Sequence, residues 1–149
     1  MGWEIQCNDT SCKASTWAAN IVDLIDNHTD EHGWFVCDQC GGSGFIKKKF
    51  DLQEPGHTWK PFLRGVIRLG DQGDTYQPFV FMVSYEPDRK ANDIWFSYYK
   101  ALRKTGSRLK VGYGPGGPPV LGTEQLLSLL LRLYDLGLVE KEKISKVMA

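Results

Sequence analysis

Long apolar runs are missing from this 149-residue chain. The longest, Leu126 to Leu131, is interrupted by Ser128 and followed by Arg132 and Asp135, far short of the ~20 residues that a membrane-crossing helix needs. No membrane span is expected. The start, MGWEIQCNDT, has neither a basic segment nor an apolar one, which reads against a secretory signal, and Gln6 stands where N-myristoylation wants Ser or Thr. A cytoplasmic protein is the expectation. Nucleophile motifs, phosphate loops and dinucleotide fingerprints are also lacking, so nothing points to the common enzyme classes. Cysteine is scarce, with four in all, and in a reducing compartment paired cysteines favour a metal over a disulfide. What is plentiful is core material: 42% hydrophobic against 24% charged residues, a balance that reads as globular rather than disordered.

The four cysteines form two pairs, Cys7 with Cys12 and Cys37 with Cys40. Two residues between cysteines let both sulfurs reach one ion, and glycines behind them let the backbone turn toward the thiolates. Four thiolates fill a tetrahedral shell and leave no open position for water. The expectation is one structural zinc ion per chain, held by Cys7, Cys12, Cys37 and Cys40 in a zinc-ribbon-like site of two knuckles. A redox Cys-x-x-Cys of the thioredoxin type would stand at a helix start, and the glycines after Cys40 read against a helix there. The second knuckle, Cys37-Asp38-Gln39-Cys40-Gly41-Gly42-Ser43-Gly44, fits CxxCxGxG and resembles one repeat of the cysteine-rich region of DnaJ-type co-chaperones. The chain has one such repeat and no His-Pro-Asp of a J-domain, so the resemblance implies zinc binding and not chaperone activity.

His28-Thr29-Asp30-Glu31-His32 matches the inverted zincin pattern HxxEH, in which two histidines bind zinc and the glutamate is the general base. That reading would make the chain a small metal-dependent hydrolase. The pattern falls where a helix should end, and the plainer reading is two partly covered histidines near a helix C-terminus.

Equal numbers of acids and bases, 18 each, hide a division along the chain. Residues 1 to 46 carry Lys13 alone against Glu4, Asp9, Asp23, Asp26, Asp30, Glu31 and Asp38. Bases gather in Lys47-Lys48-Lys49 and in Lys100, Arg103, Lys104, Arg108 and Lys110, the latter a run without an acid. Trp95 and Tyr99 stand just before that run, an interleaving suited to stacking bases and neutralising phosphates. The same aromatics also read as the second wall of a core, which is the plainer reading for so aromatic a strand.

The expected class is α+β, in three parts that form one compact unit. Residues 1–52 make a zinc module, with a strand Trp3–Gln6, a helix from Ser15 or Thr16 to about Asn27 inserted between the knuckles, and a strand from Gly44 to Phe50. Residues 53–122 make an antiparallel meander of Phe62–Leu69, Tyr76–Tyr85, Ile94–Tyr99 and Leu109–Tyr113. Residues 123–149 make a helical hairpin, Thr123 to Leu136 and about Glu140 to Met148, turning at Gly137. In the first of these helices Leu127, Leu130 and Tyr134 are expected to face the sheet, with Leu129 or Leu136 facing the last helix or a second copy in a homodimer. From Leu133, the segment LYDLGLVEKEKISKVM resembles the short C-terminal hairpin motif of many bacterial proteins (SHOCT), which implies an interaction role and a bacterial origin. Two functions follow as expectations: a non-enzymatic zinc protein that contacts nucleic acid, or an adaptor that binds protein through its C-terminal helices.

Overall fold

The computed structural model describes residues 2–47, 50–51, 58–71, 76–86, 90–100 and 120–149. In chain order these form β1 (Trp3–Cys7), β2 (Ser15–Ala18), α1 (Ile21–Asn27), β3 (Gly44–Lys47), β4 (Phe50–Asp51), β5 (Thr58–Trp59), β6 (Phe62–Arg68), β7 (Tyr76–Ser84), β8 (Asp93–Lys100), α2 (Thr123–Asp135) and α3 (Lys141–Met148). Six strands make one sheet in the order β2-β1-β3-β6-β7-β8, and β4 with β5 makes a separate two-stranded ribbon. All pairings are antiparallel. The boundary expected near residue 52 does not interrupt the sheet, because β3 pairs with β6 through Ile46↔Leu63 and Lys47↔Phe62. The α+β class and the antiparallel meander β6-β7-β8 stand, and the cysteine segment is built onto the same sheet.

β7 explains why its sequence is apolar on both faces. Alternate residues enter different cores. Phe79, Phe81 and Val83 join Trp3, Ile5, Leu24, Phe35, Leu63 and Tyr99 in one cluster, into which α1 places Ile21, Leu24 and Ile25. Val80 and Met82 join Ile67, Ala91, Leu129 and Leu133 in the other, beneath α2.

Three expectations need correction. The helix expected from Ser15 or Thr16 is instead strand β2, paired with β1 from Trp3↔Ala18 to Gln6↔Ser15. The helix begins only after Asn20, whose side-chain oxygen accepts from the Val22 and Asp23 amides at 2.9 and 3.0 Å, while β-branched Thr16 and aromatic Trp17 suit an extended backbone. The chain leaves α1 at His28. Gly33 takes a φ of +91° where the chain presses on β6.

The orientation of α2 is also reversed. Leu129, 1% exposed, and Leu133 face the sheet, whereas Leu126, Leu127, Leu130, Leu131 and Tyr134 face outward. Leu129 and Leu136, expected at an interface, pack on the sheet cluster instead. The cause is the turn at Gly137, with φ +70°. The Leu138 amide donates to the Leu133 carbonyl at 2.9 Å, which folds Leu138 and Val139 back onto the cluster holding Leu129, Leu133 and Leu136. The stripe continued through the turn is the one that becomes core. The expected strand Leu109–Tyr113 lies outside the described residues. Among those residues no helix is long and apolar enough to cross a membrane.

Candidate metal centre

Each knuckle is shaped by its own backbone. In the first, Cys7 ends β1 and its amide donates to the Ala14 carbonyl at 3.0 Å, while the Cys12 amide donates to the Asp9 carbonyl at 3.1 Å. The Asp9 carboxylate accepts from the Ser11 hydroxyl and amide at 2.7 and 2.8 Å. Those donors hold its carboxyl below the usual carboxylate range. In the second knuckle the Gly41 amide donates to the Cys37 carbonyl and the Cys37 amide to the Gly42 carbonyl, both at 2.8 Å. Gly41 has φ +71°, a conformation glycine adopts without cost. The Gly42 amide points at Cys40 Sγ, 3.4 Å away, and the Asn8 amide donates to the Ser43 carbonyl at 2.9 Å, joining one knuckle to the other.

The result brings together sulfurs from positions up to 33 residues apart. Cys7 and Cys40 Sγ lie 3.5 Å apart, Cys12 and Cys37 Sγ 3.8 Å apart, and all four lie within 4.8 Å of one another. A tetrahedron with metal–sulfur bonds of about 2.3 Å has edges of about 3.8 Å, so the donor set fits one four-coordinate ion. A binuclear iron–sulfur cluster divides its outer thiolates between two irons and holds them wider apart than this. Cys37 is buried and Cys40 exposed, placing the site at the surface of the sheet's end.

The sulfurs differ in acidity before any ion arrives. Amides of Cys40 and Gln39 aimed at Cys37 lower its thiol to about 7. Removal from water and the neighbouring sulfurs push Cys7 up to about 12. Cys12 is raised too: an amide contact at Ala14 favours its thiolate, but burial and neighbouring sulfurs outweigh that. Of these three, Cys37 is the thiolate available first.

Residues that sequence reading did not single out secure this site. Arg64, a buried cation among the apolar residues of β6, donates to Asn8 Oδ1 of the first knuckle at 3.2 Å and to Ser84 Oγ at 2.8 Å. Its guanidinium lies 5.3 Å from the ring centres of both Phe45 and Phe62. A charge amid Phe62, Leu63, Val66 and Ile67 was the available signal.

His28 and His32 do not converge. His28, nearly buried, sits with Nε2 3.8 Å from Asp23 Oδ2 and Nδ1 3.4 Å from Asp38 Oδ2, bridging α1 to the second knuckle. Asp23 also accepts from Asn27 and from the Ala19 amide, and these contacts with His28 lower its carboxyl. His32 is exposed beside Glu31 at 3.3 Å. Among the described residues the four cysteines form the sole group of three or more metal-binding side chains.

The aromatic pair expected at a nucleic-acid face packs toward one core. Tyr99 is 3% exposed and its hydroxyl is bonded to Gln77, inside the cluster that also receives the Trp95 side chain. Tyr99 is therefore closed to stacking, and Trp95 is half-buried. Arg103, Lys104, Arg108 and Lys110 lie outside the described residues, as does the Lys100 side chain. No family model, curated protein or solved structure matches the chain.

Proposed function

We propose that this is a non-enzymatic zinc-binding protein whose ion is structural and whose sheet and basic segment contact nucleic acid. The observation that carries the metal half is the four-sulfur cluster within 4.8 Å. Zinc suits it because a d10 ion imposes no geometry of its own and accepts four thiolates tetrahedrally, and because four protein ligands leave no position for substrate or water. Zinc would serve as a cross-link between β1, its following knuckle and the strand-ending knuckle before β3. The nucleic-acid half is supported by the acid-free run that starts at Lys100, the last residue of β8, and continues through Arg103, Lys104, Arg108 and Lys110. Reversing Arg103, Lys104 and Arg108 to glutamate is expected to weaken binding to all sequences alike and to flatten its dependence on salt, since phosphate contacts act by releasing counterions. A low-salt shift assay with single- and double-stranded DNA and RNA reads this. No shift with the natural chain rejects the nucleic-acid half.

One observation favours a second reading, an adaptor that binds protein. Leu127 and Leu131 are 59% and 66% exposed, in line with Leu126, Leu130 and Tyr134 on the outer side of α2. A contiguous apolar stripe of this kind marks contact surfaces. Leu127→Glu with Leu131→Glu is expected to leave the thermal midpoint unchanged and to abolish any concentration-dependent rise in mass by light scattering. A monomer at high micromolar concentration in the natural chain removes self-association from this reading.

A further inference from the structure

Among the described residues, the sheet face that α2 covers over β7 continues without a helix across β1, β2 and β3. Directly paired residues share a face, so the register carries that face from Val80 and Met82 through Ser84↔Phe62 and Phe62↔Lys47 to Gln6↔Phe45 and Glu4↔Trp17. At that end lies a groove of about 180 Å3, whose lining includes Glu4, Gln6, Trp17 and Lys47. This is small beside drug-sized pockets, which start at about 300 Å3, and suits a single planar ring.

Trp17 forms one wall. It is 64% exposed, yet the ring is placed by its surroundings: a Cβ on Gly2 would come 3.3 Å from indole Cε3, so the bare backbone of Gly2 lies against the ring. Lys47 forms the other wall, with its ammonium 5.9 Å from the Phe45 ring centre. Half-buried Glu4 and Gln6 lie between them on β1. Strands spaced about 4.8 Å apart put β2 and β3 about 10 Å from each other, close to the reach from a base to a neighbouring phosphate.

We propose that this groove binds one nucleobase, stacked on Trp17, with its amino edge donating to Glu4, its remaining edge on the Gln6 amide and a phosphate on Lys47. The inference rests on the nucleic-acid reading above and gives it the stacking platform that Tyr99 does not provide. An ionised carboxylate only accepts hydrogen bonds, so Glu4 favours bases with exocyclic amines, cytosine and adenine among them, over thymine or uracil. The stacking face also requires an unpaired base, since in a duplex that face is covered. A neutral sugar would use the indole but has no need of Lys47.

The test is fluorescence anisotropy of labelled 12-mers of dC, dA and dT at low salt, run beside CMP and AMP, a hairpin duplex and a neutral oligosaccharide. Single strands are expected to bind with dC and dA ahead of dT. Trp17→Ala is expected to lose about 5- to 150-fold, the effect of one stacked base, Trp17→Phe to retain most of the binding, and Glu4→Gln to narrow the preference for dC over dT. Lys47→Ala is expected to reduce the slope of log affinity against log salt by about one phosphate contact. Binding of CMP or AMP that Trp17→Ala removes supports a nucleotide site, and binding of 12-mers alone supports a strand site. If single strands bind equally well to Trp17→Ala, the groove inference falls while the basic-run reading stands. If no nucleic acid binds, both fall. If the oligosaccharide binds and Trp17→Ala removes it, the groove is a sugar platform and the inference is overturned.

Discussion

Stripping the metal with a chelator, or making Cys37→Ser, is expected to unfold more than the two knuckles. Apparent binding energies of structural zinc are about 10–16 kcal/mol, against a net stability of about 5–15 kcal/mol for a whole domain. The site joins β1 to the segment preceding β3, and both strands lie inside the six-stranded sheet. Ile5 and Phe35, next to the knuckles, share a cluster with Phe79 and Phe81 of β7. Loss of the cross-link therefore reaches β6 and β7, and one metal-dependent calorimetric transition is expected in place of two. Hydrogen exchange that stayed slow in residues 3–7 and 44–47 after metal removal would overturn this. The same site gives a pH dependence of definite sign. In the metal-free protein at neutral pH, Cys7, pushed up to about 12, and Cys12, also raised, hold their protons, whereas Cys37 at about 7 is partly ionised. Binding makes all of them thiolates and expels at least those two protons, so affinity rises with pH, by about a hundredfold or more per unit around neutrality. Competition with a chelator at pH 6 and pH 7 measures it, and a pH-independent affinity would show that the sulfurs are not the ligands.

The cluster of Cys7, Cys12, Cys37 and Cys40 was legible because a metal imposes local spacing that a sequence records directly. The meander was legible for a similar reason, since Phe62–Arg68 and Tyr76–Ser84 are short apolar runs around a turn. The segment Ser15–Ala18 was not. Trp17 falls one helical turn before Ile21, so periodicity alone extends the helix through it, and the deciding feature was the competition between two caps. Asn20 bonds two amides of the first turn, and the residues before it are claimed by pairing with β1. For α2 the sequence carried little direction, because leucines occupy nearly every side of the helix. The choice was made downstream, where Gly137 returns Leu138 and Val139 to the side of Leu133. Tyr98 and Tyr99 are both buried, so the alternation that should put one outside fails where each face of β8 meets other parts of the fold.

Gly65→Ala is expected to destabilise the fold strongly and to loosen the cysteine segment. β6 carries an irregularity between Leu63 and Gly65, and at this point the chain that delivers Cys37 crosses it: Trp34 bridges to Gly65, the Phe35 amide donates to the Arg64 carbonyl at 3.0 Å, and the Val66 amide donates to the Gly33 carbonyl at 2.8 Å. A Cβ on Gly65 would lie 2.3 Å from Gly33 O, 2.5 Å from Met82 Cε and 3.0 Å from Trp34 Cα. Met82 could turn aside, but the backbone of residues 33 and 34 could not without breaking those hydrogen bonds. Overpacking against movable side chains costs about 1–3 kcal/mol, so the expected loss here is at the top of that range, about 3 kcal/mol, read from the urea midpoint. Faster metal release to a chelator should accompany it, because the displaced segment carries the second knuckle. Gly41→Ala is the matched control. Its φ of +71° is strained for alanine, yet nothing lies within 4 Å of the added Cβ, so the expected cost is only the left-handed backbone term of about 1–2 kcal/mol. Equal losses in the two variants would mean that the contact at Gly65 does not hold the segment carrying Cys37 and Cys40 on the sheet.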